Sequence, residues 1–284
     1  MNLVITGTST STGIGQSLVR HLGARGHRIW GLARTPHEEC DQACAASGID
    51  FRYSVADISD WERMRAFAAE VEQAWDRVDG LVCCAGIQGP ICDAMKADPA
   101  GWAQNISINL VGTYHTLRAL HPLLRRATRR GKVVCFSGGG STGPRLNFTP
   151  YACAKAGVLR LVEILAHEWS DQALDINAIA PGAVNTRMTE EVLQLGPDVV
   201  GPKEFATATR QWEQGGTPPE AFVPLVEFLL GEPSDGISGR LLSALWDPWK
   251  DLPRHVEALQ KSDIYTLRRI IPKDRGLDWE ERRS

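Results

Sequence analysis

A chain of 284 residues, 43% hydrophobic and 23% charged, with a formal net charge of −3, has the makeup of a globular protein of one large domain or two small ones. So even a balance gives no basic footprint for nucleic acid or an anionic membrane, and no stretch approaches the ~20 uninterrupted apolar residues of a membrane span. The N-terminus, Met1-Asn2-Leu3-Val4-Ile5-Thr6-Gly7, lacks the basic region and long apolar core of a signal peptide. The seven cysteines are odd in number and sit mostly in apolar or helical patterns, and the CxxxC of Cys40 and Cys44 has no second His/Cys cluster to complete a zinc site. Free thiols in a reducing cytoplasm are the expectation.

In chain order, residues 2–6 form a short apolar run that breaks into "GTSTSTGIG" and then into the helix-periodic "QSLVRHLGARG". "HRIWGLAR" is the next apolar run, so the chain opens with strand, glycine turn, helix, strand, the pattern of a parallel sheet. "IDFRYSV" is a third strand, and Ser59-Asp60-Trp61-Glu62 reads as a capping box that opens an amphipathic helix through about Trp75. "DGLVCCAG" is a fourth strand, and Asp98-Pro99 starts a long helix containing "NISINLVGTYHTLRAL". "GKVVCFSGGG" is a fifth strand with a glycine-rich exit. A helix holding Tyr151 and Lys155 follows, then "LDINAIAPG" as a sixth strand, a helix opened by Pro218-Pro219-Glu220, and "GRLLSALW" as a seventh strand. Strands rich in Val, Ile and Leu alternating with helices predict an α/β fold, a doubly wound parallel sheet of about seven strands with helices on both faces. With no repeat, long linker or low-complexity tract, one domain over 1–246 is expected, followed by an extension over 247–284.

In such sheets ligands bind at the carboxyl ends of the strands, where the first strand-to-helix turn can cradle a pyrophosphate. Gly7, Gly13 and Gly15 occupy that turn, and glycine lets backbone approach phosphate oxygens with no Cβ in the way. In "YACAKAG", Tyr151 and Lys155 stack on one helical face, and the small Ala152, Cys153, Ala154 and Ala156 let that face come close to something else. Alone, the pair is equally well an exposed Tyr/Lys pair on a surface helix.

Five motifs in order, "TG…GIG", "CCAG", "NISINLVGT", "YACAK" and "PGAVNT", resemble the short-chain dehydrogenase/reductase family, with its Rossmann-type sheet, over about residues 1–246. The resemblance implies that Tyr151 is the acid/base that exchanges a proton with substrate oxygen. It makes Lys155 the cation that lowers the tyrosine pKa and binds the nicotinamide ribose, and Asn109 the helix asparagine of the proton relay. Asp57 matches the residue that bonds the adenine amino group, though it could equally cap the next helix, and Ile58 adjoins it. Pro181, Gly182 and Thr186 match the loop that holds the nicotinamide carboxamide. Ala85 and Gly86 match the end of the family's NNAG motif, whose two asparagines are replaced here by Cys83 and Cys84, so hydrogen bonds of the central sheet are expected to be missing. The glycine loop is longer than usual, which leaves open which of Ser9 to Thr12 touches phosphate; Ser11 and Thr12 join Gly13, Ile14 and Gly15 as candidates. The family serine falls at Gly138, so Ser137, closest to the strand end, is the first choice for the substrate hydroxyl, with Ser141 second and Thr142 or the backbone of the glycine run behind them.

For the cofactor, Ala33 stands where NAD-preferring relatives carry an acid, and Arg34 offers a bidentate partner to a 2′-phosphate. NADP is therefore expected over NAD, although Arg34 could instead stack on adenine. The reaction the family implies is hydride transfer between nicotinamide and a secondary alcohol or ketone, by a homotetramer or homodimer with a small-molecule substrate. Two other readings are an isomerase or dehydratase that keeps its NAD and a non-catalytic cofactor sensor. The first usually has a longer C-terminal domain and a GxxGxxG loop; the second need not keep Tyr151, Lys155 and Asn109 together. Residues 188–216 are expected to lid the pocket. The tail carries Trp249, Leu252, Val256, Leu259, Tyr265 and Leu267 among other apolar groups, with a short helix at 253–262, and should dock on its own domain or on a neighbouring subunit.

Overall fold

A computed structural model describes residues 1–9, 12–36 and 38–279. Among them, seven strands form one parallel sheet: β1 (Asn2–Thr6), β2 (Arg28–Ala33), β3 (Phe51–Val55), β4 (Gly80–Cys83), β5 (Gly131–Phe136), β6 (Leu174–Ala180) and β7 (Leu241–Ser243), in the order β3-β2-β1-β4-β5-β6-β7. The order reverses between β1 and β4, which pair Thr6 with Cys83. At that point the connections leave in opposite directions and open a crevice at the strand ends.

The strands are apolar throughout because both faces are covered. Along β1 the pleat sends Val4 to one layer and Leu3 and Ile5 to the other. The first layer is built on α3 (Trp61–Trp75), α5 (Gly112–Leu124) and α6 (Thr149–Glu168), through Met64, Phe67, Leu117, Leu120, Val158 and Val162. The second is built on α1 (Ile14–Ala24) and α10 (Pro219–Leu230), through Leu18, Leu22, Phe222, Val226 and Leu229. A helix absent from the sequence reading, α2 (Glu38–Ala46), adds Cys40 and Cys44 to this second layer as buried thiols not joined in a disulfide.

Several local expectations change. Asp60, not Ser59, caps α3 by accepting from Arg63 N at 3.1 Å, while the Ser59 hydroxyl donates to Asp57 Oδ1. The long helix starts where Asp98-Pro99 predicts but is not uniform: α4 (Pro99–Ile106) passes through one π-helical turn (Ser107–Val111) into α5. Residues 188–216 fold as α7 (Arg187–Leu195), α8 (Pro197–Val200) and α9 (Pro202–Glu213). These close a small core of Val192, Val200 and Ala208 against Ile91 and Phe148.

The tail packs on its own chain. Leu252 and Leu259 enter the second layer, and Leu241 N donates to Tyr265 O at 2.9 Å along the edge of β7. The helix expected at 253–262 is a 3₁₀ segment, Trp249–His255, followed by α11 (Val256–Gln260). The buried Arg240 donates to the carbonyls of Leu259, Ser262 and Ile264. Trp246, Ile270 and Trp279 stay exposed. No described helix is long and apolar enough to cross a membrane.

Candidate active site

The crevice at the β1–β4 switch is a continuous cleft. Its floor is the turn after β1, where Gly7 adopts φ +78° and an added Cβ would lie 2.7 Å from Ala85 N. A Cβ on Gly15 would lie 2.4 Å from Gly7 O. No other residue fits either position without moving backbone. Gly13 precedes α1 in an extended conformation, and α1 has no side-chain cap and no acid in its first turn. The free N–H groups of that helix end therefore face the cleft with the positive end of the helix dipole, which suits a phosphate group.

Ten of the residues singled out by sequence line this cleft: Gly7, Gly13, Ile14, Gly15, Arg34, Asp57, Ile58, Ala85, Gly86 and Thr186. Arg34 is exposed, beside Ala33, and pairs with no carboxylate among the described residues. Asp57 has one carboxylate oxygen already engaged, accepting from Ser59 N at 2.8 Å and Ser59 Oγ at 2.7 Å. Thr12 is exposed and does not line the cleft, and Ser11 lies outside the described residues. Pro181 and Gly182 lead from β6 toward Thr186 without lining it, Gly182 packing against Thr217 and Leu245. Ser9, Ala33 and Cys84, also weighed from sequence, line it too, as do Met188 and Glu191 of the expected lid, whereas Ile87, Gln88 and Arg187 line the cleft without having been singled out. Arg187 directly follows Thr186, so its position on the chain was the available signal.

Tyr151, Lys155, Asn109 and Ser137 do not line the cleft; Lys155 and Asn109 lie behind Gly86. A Cβ on Gly86 would lie 2.6 Å from Asn109 Oδ1 and 3.8 Å from Lys155 Nζ. Tyr151 and Lys155 are buried, 7% and 5% exposed, which rules out a solvated surface pair. Lys155 Nζ donates to Phe136 O at 2.9 Å and stands 5.8 Å from the Tyr151 ring centre. Burial pulls the Lys155 pKa below the ordinary lysine value, partly offset by the thiols of Cys135, Cys84 and Cys83. Burial pushes the Tyr151 phenol up, and the charge of Arg145 pulls it back.

Asn109, fully buried in the π-helical turn, clamps the chain leaving β4: its Oδ1 accepts from Ile87 N and its Nδ2 donates to Ile87 O, both at 2.9 Å. Asn105 adds a bond to Gln88 O at 2.9 Å and accepts from Asn109 Nδ2 at 2.8 Å. The stitching that Cys83 and Cys84 cannot supply thus comes partly from the helix. Cys83 itself pairs in register with Cys135, and the thiol–thiol hydrogen bond, together with burial, holds its pKa well above the usual value.

Gly138 lies directly under the tyrosine: a Cβ there would be 2.2 Å from the Tyr151 hydroxyl oxygen. The position where the family carries serine therefore faces the phenol with bare backbone. Ser137 and Ser141, weighed as alternatives from sequence, are both buried and bonded to each other, Oγ to Oγ, at 2.8 Å. They form one polar unit.

A family model described as short chain dehydrogenase matches residues 2–195. Over 251 residues the chain is 27% identical to benzil reductase ((S)-benzoin forming) of Saccharomyces cerevisiae, a similarity that covers 85% of this chain and 95% of that protein. It is 34% identical over 187 residues to galactitol 2-dehydrogenase (L-tagatose-forming) of Cereibacter sphaeroides, covering 64% of this chain and 71% of the relative. Among solved structures, levodione reductase aligns with a TM-score of 0.75 at 25% identity, over 89% of this chain and 97% of its own.

Proposed function

The chain belongs to the short chain dehydrogenase family, and from that premise we propose that it is an NADP-preferring oxidoreductase interconverting a secondary alcohol and a ketone, with Tyr151 as acid/base. The observation that carries this reading is the buried Tyr151–Lys155 pair, with Lys155 and Asn109 packed directly behind Gly86 of a glycine-floored cleft. A nicotinamide dinucleotide bound there would supply the hydride in reduction and accept it in oxidation.

The chain's own residues bind, orient and move the proton. The turn of Gly7, Gly13 and Gly15 and the open N-terminus of α1 suit the pyrophosphate. Arg34, free of a described carboxylate partner and beside Ala33 rather than an acid, suits a 2′-phosphate, which is the ground for preferring NADP over NAD. Thr186, with Pro181 and Gly182 behind it, holds the carboxamide end, and Asp57 and Ile58 the adenine end. Lys155 spends one donor on Phe136 O and keeps the others for the ribose hydroxyls. Tyr151 gives its proton to the substrate oxygen in reduction and accepts one in oxidation. The Ser137–Ser141 pair supplies the donor to that oxygen, in which one hydroxyl polarises the other. Residues 1–246 carry this site and 247–284 brace it. A cytoplasmic homotetramer or homodimer completes the proposal.

The test is a panel of secondary alcohols and ketones followed by nicotinamide absorbance, with NAD and NADP in parallel. The expected outcome is turnover of at least one pair, faster with NADP. Faster turnover with NAD removes the role given to Arg34, and release of tightly held NAD from the purified protein points to isomerase or dehydratase chemistry.

A further inference from the structure

The segment between β5 and α6 carries a cation that no motif singled out. The Arg145 guanidinium carbon lies 3.7 Å from the centre of the Phe148 ring, stacked on the residue that caps α6. From there Nε and Nη2 each reach Glu204 Oε2 at 3.0 Å. Glu204 sits in the first turn of α9, in the helical segment that covers Phe148. The arginine's remaining side faces the glycine run: a Cβ on Gly140 would lie 3.0 Å from Arg145 Cβ, and one on Gly139 would lie 3.5 Å from Nη1. Gly138 meets the Tyr151 hydroxyl in the same way. Three successive glycines thus line the space beside the phenol and the guanidinium with backbone alone.

We propose that Arg145 is a positioning residue that acts on Tyr151 across the glycine run they share, coupling the acid/base to helix α9 through Glu204. The proposal rests on the reading of Tyr151 as acid/base and adds a second cation to it. Three charged groups bear on the phenol: Lys155 from its own helix, 5.8 Å from the ring centre, Arg145 from the preceding segment across the glycine run, and Glu204 of α9 through its pair with Arg145. The thiols of Cys83, Cys84 and Cys135 act on Lys155. Arg145 is the group whose charge opposes the upward push of burial on Tyr151.

The two partners must therefore act in opposite senses. Loss of Arg145 removes positive charge, disfavours phenolate and raises the pH at which Tyr151 titrates. Loss of the Glu204 carboxylate leaves Arg145 unneutralised and lowers it. A purely structural latch would give both variants the same sign.

The experiment follows phenolate absorbance of the full chain in rapid pH jumps, without substrate, with Tyr151→Phe subtracted. Arg145→Met should move the Tyr151 titration up by about one pH unit, the low end for a nearby opposite charge because the ion pair is partly exposed. Arg145→Lys should stay near wild type, and Glu204→Gln should move it down. An unmoved titration in a natively folded Arg145→Met, or shifts of the same sign in Arg145→Met and Glu204→Gln, overturns the proposal. If Arg145→Met does not fold, the direction in Glu204→Gln decides. No substrate enters this measurement, so it can fail while Tyr151 remains essential for turnover, and the reverse.

Discussion

In the role proposed for Tyr151, burial excludes water from the transferred proton, but it also favours the neutral phenol and so works against the oxidising direction. The sign of the pH dependence follows. With the phenol held up, oxidation of an alcohol, which needs phenolate, should rise with pH through the tyrosine titration, and reduction, which needs the phenol, should fall over the same range. Rate profiles in both directions on one substrate pair would check this; parallel profiles would remove the phenol from the proton transfer. Gly138→Ala makes a sharper test of position. The added methyl falls 2.2 Å from the hydroxyl oxygen, so the phenol must move, and a displacement near 1 Å costs on the order of 10²-fold in rate. Cofactor affinity should be unchanged, because the cleft lining is untouched; a steady-state assay beside a binding titration separates the two. The Tyr–Lys spacing was legible in the sequence because both partners lie on one helical turn. Arg145 was not, because its carboxylate partner, Glu204, lies on a helix far along the chain.

The helix that runs from Asp98 to Leu124 shows how a single irregular turn builds a site. Its start is written in Asp98-Pro99, and Asp98 does accept from Gly101 N at 2.8 Å. The π-helical turn at Ser107–Val111 is not written, because the apolar pattern runs through it without a break. There Asn109 holds both polar groups of Ile87, a residue lining the cleft. Asn109→Ala leaves the half-buried Ile87 N–H without its side-chain partner, which costs on the order of 1 kcal/mol. It should lower the melting temperature and weaken cofactor binding together, read by thermal melts and by titration of the nicotinamide dinucleotide. Unaltered binding in a destabilised variant would confine Asn109 to a structural role. The covering helices were legible only as apolar content: Val192, Leu193 and Phe205 announce burial, but their partners Ile91 and Phe148 come from distant parts of the chain.

The alternation of apolar runs and helices made the sheet readable, and the glycine turn after the first strand marked a strand end suited to a phosphate, though not that the order reverses there. The tail is where local pattern said least. Its apolar residues required a docking surface without saying which, and the structure puts Leu252 and Leu259 into the layer formed by α1 and α10. Truncation after Trp246 should therefore destabilise the whole molecule by roughly 1.5–3 kcal/mol for each of these two side chains, and it also strips Arg240 of three carbonyl partners. A large fall in melting temperature with unchanged mass by light scattering is the expected result. A change of mass with unchanged stability would mean that the tail serves a neighbouring subunit.

All of these effects converge on one phenol. The most direct measurement is turnover by Tyr151→Phe on a substrate pair found with the wild-type enzyme, with cofactor affinity measured on the same preparation. The expected result is a loss of about 10²–10⁴-fold or more in rate with cofactor binding nearly intact. A variant that keeps most of its activity would contradict the assignment of Tyr151 as the acid/base.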